Sequence, residues 1–293
     1  MGFESCHPAV NFIFFAAALY GTVRFNHPVF LAIAYVSAFA YSVKRCGKRA
    51  VAFNLCLLPL ILVFALYYSS YHHFGVTVLR QNFIGNNLTV ESFVYGLVIG
   101  LRFAALCMWL EAIFRIVTSD KVVYLFGRIS PQLSLFLTIL LRFIPRVGRE
   151  ARKINLAQKG IGRGSNQGNV FQRFINCLRI FSMLITWMIS ALVQESDSMR
   201  SRGSLLRGRT AFSIYRFDNR DRAFVITLFT CITLTVMGVI LGASKMWYNP
   251  RIIWRPLNGI GMTAAIGYLA LCLLPLGLEL WTEYRFNKAR RIA

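Results

Sequence analysis

Two short clusters of arginine and glycine are the residues of this chain whose types and spacing suggest a chemical task. One is Ser201-Arg202-Gly203, preceded by Ser198-Met199 and followed by Ser204-Leu205-Leu206-Arg207-Gly208-Arg209. The other is Lys159-Gly160-Ile161-Gly162-Arg163-Gly164. A guanidinium is a planar fork of donors that matches a carboxylate geometrically, so an arginine held at a helix tip suits an acidic groove on a partner protein. The plainer reading is a basic helix end closed by glycine, with Arg200 and Arg202 complementing the helix dipole. Both readings fit the same residues. A phosphate loop does not, because the first cluster follows a helix rather than a strand and lacks the Gly-Lys-Ser or Gly-Lys-Thr of that motif.

Other ionisable groups offer less. Arg102 and Glu111 lie in an apolar run, nine residues apart. At about 100° per residue they fall on opposite faces of a helix and do not pair with each other. Buried charges in a bilayer are functional candidates by default, although an Arg resting on carbonyls of a neighbouring helix is an equally good account. His7, His27, His72 and His73 sit near helix ends and loops, and the adjacent pair lacks the spacing of a helical metal site. The seven cysteines are odd in number and scattered, without a CxxC pair, so neither a disulfide framework nor a zinc site is suggested.

The elements that must carry the two clusters are two apolar runs, Leu133 to Pro145 and Ile180 to Val193. Each is shorter than the roughly 18 to 20 residues of a spanning helix, which predicts buried or interfacial helices. The first helix is expected over 132–159, started by Ser130-Pro131, kinked at Pro145 and amphipathic beyond it. The second is expected from near Val170 to Arg202, with Gly203 as the residue after its cap.

The chain as a whole is 56% hydrophobic, with 25 Phe and 12 Tyr, which places it among polytopic membrane proteins. Candidate spans are 9–23, 28–43, 51–69, 92–116, 223–243 and 258–282. The net charge of +22 lies beside these runs, which favours membrane topology over nucleic acid as its cause. Lys44, Arg45, Lys48 and Arg49, the stretch 117–222 and the tail after 284 hold 26 of the 33 basic residues. If those regions are cytoplasmic, six spans leave both termini inside. The stretch 117–222 is too long for an ordinary loop and reads as a helical insert on the cytoplasmic side.

These residues resemble the transmembrane T subunit of energy-coupling factor (ECF) transporters, the EcfT/CbiQ-like family. The likeness rests on Ser201-Arg202-Gly203, on Arg142-Phe143-Ile144-Pro145 with Glu150 and Ala157-Gln158-Lys159, and on His7-Pro8-Ala9-Val10-Asn11-Phe12 and His27-Pro28-Val29-Phe30. The family's paired motif is a small residue, Arg, Gly. Aligned on Ala157-Gln158, its first copy becomes Gly160-Ile161-Gly162, with Ile in place of Arg; a shift of two gives Gly162-Arg163-Gly164. Either assignment fits the sequence.

The resemblance implies an all-α polytopic membrane protein with about six transmembrane helices and long cytoplasmic-side coupling helices. Its parts would be N-terminal helices over 1–116, a coupling region over 117–222, and C-terminal helices with a basic tail over 223–293. The implied function is that of a noncatalytic coupling subunit of an importer for vitamins or other micronutrients, in the cytoplasmic membrane. It would bind no cofactor itself, ATP being held by two partner ATPases. The ATPases would dock on Ala157, Gln158, Gly160, Gly162, Arg163, Gly164, Ser201, Arg202 and Gly203. A membrane substrate-binding partner, the S component, would cover Phe136, Leu140, Phe143, Phe181, Leu184, Trp187 and Met188. The alternative is a stand-alone secondary transporter or channel, for which only Arg102 offers a midplane polar site. The charge distribution yields a test of topology. Cysteines introduced near Lys48, Gly168 and Lys288 are expected to react with impermeant reagents only from the cytoplasmic side, and one near His73 only from outside; labelling near Gly168 from outside would overturn the orientation.

Overall fold

The computed structural model describes residues 2–72, 74–81, 85, 87–203, 215, 217–242 and 245–292. His73 and the basic stretch 204–214, with Arg207 and Arg209, lie outside the described residues, as does Arg216. Nine α-helices occur among the described residues: α1 (Pro8–Arg24), α2 (Pro28–Cys46), α3 (Lys48–Tyr71), α4 (Val90–Ile116), α5 (Ser119–Ile129), α6 (Pro131–Gly160), α7 (Val170–Ser201), α8 (Asn219–Ile240) and α9 (Gly259–Ile292). A two-stranded antiparallel hairpin, β1 (Val78–Gln81) and β2 (Asn87–Thr89), joins α3 to α4. The chain divides into two compact units, one of Met1–Thr118 with Tyr215–Ala293 and one of Ser119–Ile214.

The helix starts follow local chemistry. α1 and α2 both open on a His-Pro pair, in which the histidine Nδ1 accepts the N–H two residues on, from Ala9 and from Val29, each at 3.3 Å. Proline then occupies the first helical position, where no donor is needed. α4 is capped by Thr89, whose hydroxyl accepts the Ser92 N–H, and α8 opens with a capping box between Asp218 and Asp221.

Among the described residues, six helices are long and apolar enough to cross a membrane: α2, α3, α4, α7, α8 and α9. The chain is therefore an all-α, multi-pass membrane protein. The number of candidates matches the sequence expectation, but the set differs. α1 has only 17 residues and is not among the six. The run Ile180–Val193, expected to be too short, lies inside α7, which has 32 residues and qualifies by length and composition. Val170, Phe171, Phe174, Ile175 and Leu178 extend its apolar character toward the N-terminus. They are interleaved with Gln172, Arg173 and Asn176, so an uninterrupted run misses them.

Within the first unit, close approach is made at small residues. A β-carbon on Gly96 of α4 would lie 3.0 Å from the Ala65 Cα of α3, and one on Gly100 would lie 3.0 Å from Ile61 Cγ2. A β-carbon on Gly267 of α9 would lie 2.9 Å from Leu234 Cβ of α8. Gly238 on α8 faces Ala264 on α9, and Gly21 on α1 faces the Tyr268 ring on α9, each with no room for a side chain. The centre is aromatic: Phe3, Phe14, Phe15 and Trp109 meet edge to face, and Tyr41 lies against Trp109 at 6.1 Å.

Among the described residues, two sets of polar groups involve the arginines at the helix ends and connections. In one, Arg45 pairs with Glu4 at 3.2 Å and Glu279 at 2.8 Å, and Lys44 with Glu283 at 2.6 Å. Ser42 donates to Glu111 at 2.7 Å, and Arg115 donates to the Arg45 carbonyl at 3.3 Å. In the other, Arg102 donates to the Phe25 carbonyl at 3.0 Å and to Asn26 Oδ1. The Tyr248 hydroxyl donates to the Asn26 carbonyl at 2.8 Å; burial pushes this phenol up to about 12, so it stays a donor at neutral pH. His27 Nε2 meets the Arg255 carbonyl at 3.2 Å. Arg102 and Glu111 thus have separate partners, and Arg102 clamps the connection between α1 and α2.

The contact of Gly21 with Tyr268 gives a test. Thr22 and Tyr268 share a hydrogen bond of 3.2 Å beside it. Gly21→Ala must displace that buried ring and is expected to cost roughly 1–3 kcal/mol, seen as a lower melting temperature in detergent. Gly148→Ala, at a helical glycine with nothing within 4 Å of an added β-carbon, is expected to be neutral or slightly stabilising.

Candidate functional site

The residues singled out in the sequence fall in the second unit, built from α5, α6 and α7. α6 continues through Pro145 to Gly160 as one 30-residue helix. A loop over 161–169 turns the chain into α7, which opens with a capping box between Asn169 and Gln172. Along their shared side Phe143 stacks on Trp187 with ring centres 6.1 Å apart. The Arg146 guanidinium lies 5.6 Å from the Trp187 ring centre and 3.4 Å from Glu195. Gln158 Nε2 reaches Met183 Sδ at 3.6 Å. α7 contains neither glycine nor proline, whereas α6 has Pro145 and Gly148 in its interior.

The loop is tied by side chains that sequence reading did not select. Asn155 Oδ1 accepts the Ser165 N–H at 3.1 Å, and Gln167 Oε1 accepts the Gly164 N–H at 2.9 Å. Asn176, buried in the first turns of α7, donates Nδ2 to the Gly164 carbonyl at 3.3 Å and to the Gln167 carbonyl at 3.4 Å. Their signal in the sequence is weak: asparagines and a glutamine flanking a Gly-rich turn, with partners up to twelve residues away.

The two helix ends share one backbone form. Ile161 caps α6 at φ −96°, ψ 6°, and Arg202 caps α7 at φ −82°, ψ 6°. Each is followed by a left-handed glycine, Gly162 at φ +77° and Gly203 at φ +74°, a conformation that glycine takes without strain. The Gly162 N–H donates to the Lys159 carbonyl at 3.1 Å, and the Gly203 N–H to the Arg200 carbonyl at 3.0 Å. On α6 the Arg163 N–H closes the turn on the Gln158 carbonyl at 2.9 Å, which completes a Schellman motif. Gly203 thus takes the place after the cap that the sequence predicts. By backbone register, Gly160-Ile161-Gly162 corresponds to Ser201-Arg202-Gly203, and Arg163 lies two residues beyond the corresponding point.

Ala157, Lys159, Gly160, Ile161, Gly162, Arg163, Ser201 and Arg202 are exposed, Gln158 and Gly203 are half-buried, and Gly164 is turned into the loop and buried. The Ser201 hydroxyl donates to the Ser198 carbonyl at 2.9 Å. Because Gln158 at the first tip reaches Met183, its loop is tied to Asn176, and the second tip ends α7 at Arg202, the two are separated by 19 to 26 residues of helix, about 30–40 Å. Among the described residues, the ion pairs of this unit are Arg146–Glu195 and Lys153–Glu150. Arg163 and Arg202 pair with no acid there.

Apolar surface is exposed along both helices. Phe136, Leu140 and Ile144 are exposed on α6, and Phe171, Phe174, Leu178, Phe181, Ile185, Ile189 and Leu192 on α7. The latter recur every three or four residues, which makes one helical stripe. Of the residues expected to meet a membrane partner, Phe136, Leu140 and Phe181 belong to this surface. Phe143, Leu184, Trp187 and Met188 are half-buried, with Phe143 and Trp187 stacked on each other. Phe171, Phe174 and Leu178 were missed because they lie outside the unbroken run Ile180 to Val193.

Asn176→Ala removes two hydrogen bonds that fix the loop. It is expected to raise amide exchange at 161–168 by roughly 5- to 100-fold, as loss of about 1–3 kcal/mol from a local fold requires, while exchange in the middle of α7 stays unchanged.

No family model matches the chain. It is similar to the energy-coupling factor transporter transmembrane protein EcfT 1 of Listeria monocytogenes serotype 1/2a (strain 08-5578), at 28% identity over 169 residues. The match covers 53% of this chain and 62% of that protein, less than two thirds of its length. That similarity and the six helices able to span a bilayer fit an EcfT/CbiQ-like T subunit, a membrane component of an energy-coupling factor transporter.

Proposed function

We propose that this chain is the coupling subunit of such a transporter, without catalysis of its own. It joins two cytoplasmic ABC-type ATPases to a separate membrane subunit that binds a vitamin or another micronutrient. The observation that carries this reading is the pair of tips, alike in backbone and about 30–40 Å apart along α7, too far apart to enter one groove. Exposed arginine without an acidic partner in its own unit, at Arg163 and Arg202, suits carboxylates supplied by another chain. The apolar stripe is more than single exposed residues account for and suits a membrane-embedded partner. Closure of the ATPases on ATP would move both tips together, and α6 with α7 would pass that motion to the subunit covering the stripe. The basic residues beside the apolar runs support cytoplasmic termini and a cytoplasmic-side position for the second unit, with α7 lying along the membrane rather than crossing it. Arg102 is held by the Phe25 carbonyl and Asn26, which supports a structural role over a transport site.

Arg202 tests the reading. Losing one partner of a desolvated charged pair costs roughly 2–5 kcal/mol. Arg202→Glu is therefore expected to reduce co-purification of the ATPases and ATP-dependent uptake strongly. Arg202→Lys keeps the charge without the fork and is expected to be impaired less. Arg202→Glu combined with Arg163→Glu should uncouple uptake more completely than either alone, with membrane insertion intact. Normal assembly and uptake in the double variant would reduce both tips to ordinary helix caps and sink the proposal.

A further inference from the structure

The two tips match in backbone and differ in chemistry. Where α7 presents Arg202, α6 presents Ile161, which is 68% exposed. Gly160 and Gly162 flank Ile161, so no neighbouring side chain shields it, and the exposed Ala157 lies one turn back on the same face. The equivalent residue one turn before Arg202 is Ser198. Arg163 starts from the far side of the left-handed glycine, with its N–H committed to the Gln158 carbonyl. Its guanidinium therefore leaves from a different place and does not stand in for that of Arg202. The ties through Asn155, Gln167 and Asn176 hold this arrangement and oppose a two-residue slip that would bring Arg163 to the tip.

We infer that the two arms dock by unlike chemistry: Arg202 enters a carboxylate-lined groove on its ATPase, whereas Ile161 enters an apolar socket, with Arg163 at the rim. This rests on the coupling function proposed above. An isolated rim charge in water contributes little, while burying an isoleucine side chain on docking is worth roughly 10- to 150-fold in affinity. An apolar contact is also insensitive to salt, whereas a charged one at a partly open groove weakens as screening rises.

The test uses the full-length chain in detergent with the ATPases that co-purify with it, and reads binding across a salt series. Ile161→Ser is expected to weaken binding by roughly 10- to 150-fold, and Ile161→Arg by at least as much, because a charge then enters an apolar socket. Arg163→Gln is expected to change it less than about fivefold. In an Arg202→Glu background, where the first arm dominates, residual binding should be nearly independent of salt; in an Ile161→Ser background it should fall as salt rises. Ile161 is exposed, so these changes leave the loop intact, which unchanged amide exchange at 161–169 would verify. If Ile161→Arg binds as well as or better than the parent, or if Arg163→Gln matches the loss seen with Arg202→Gln while Ile161→Ser is neutral, the first arm docks through charge and the inference is wrong. If no change at either arm affects binding, the coupling function itself fails.

Discussion

Helices in hydrocarbon gain little by hiding apolar surface from one another, because lipid is as apolar as leucine. What remains is contact at close range, and the first unit depends on the places where a missing side chain permits it. Gly96 and Gly100 let α4 lie against the α3 backbone, Gly238 and Gly267 join α8 to α9, and Gly21 receives the Tyr268 ring. Large aromatic groups fill the space that these contacts define, with Trp109 at the meeting point of Phe14, Phe15 and Tyr41.

The same solvent requires polar groups to be satisfied inside the protein. The threonines of α8 turn back on their own helix: Thr227, Thr230, Thr233 and Thr235 each donate to a carbonyl three or four residues earlier. Two sets of charges tie separate elements together. Arg45, Lys44, Glu4, Glu279 and Glu283 join the N-terminal turn, α2 and α9, and Arg102, Asn26 and Tyr248 join α4, the first connection and the segment before α9. The bundle is held at its glycines and tied by these two sets of charges.

Much of this was legible in the sequence, and the gaps have physical causes. Helix starts at His-Pro pairs, the end of α7 at Gly203 and the separate fates of Arg102 and Glu111 follow from local chemistry. The reach of α7 does not, since amphipathic residues such as Asn176 and Arg173 break an apolar run while remaining part of one apolar face. Gly96 and Gly100, spaced four apart in an apolar helix, carry a readable signal for close packing that counting spans overlooks. The place of Ile161 was ambiguous because two short Gly-containing patterns share Gly162 and are offset by two residues. Only the backbone, through the left-handed Gly162 and the hydrogen bond from Arg163 to Gln158, selects one register.

The uneven composition of α6 and α7 has a mechanical consequence. A continuous helix without glycine or proline bends little, so α7 behaves as a stiff rod over its 32 residues. Pivoting such a rod by about ten degrees carries its far end through about 5–7 Å over the roughly 30–40 Å between the tips. In α6, Pro145 has no N–H to give and Gly148 resists bending least. Load shared by the two helices is therefore borne by α7, and strain is taken up in the short stretch of α6 between Pro145 and Gly148, beside the stacked rings of Phe143 and Trp187.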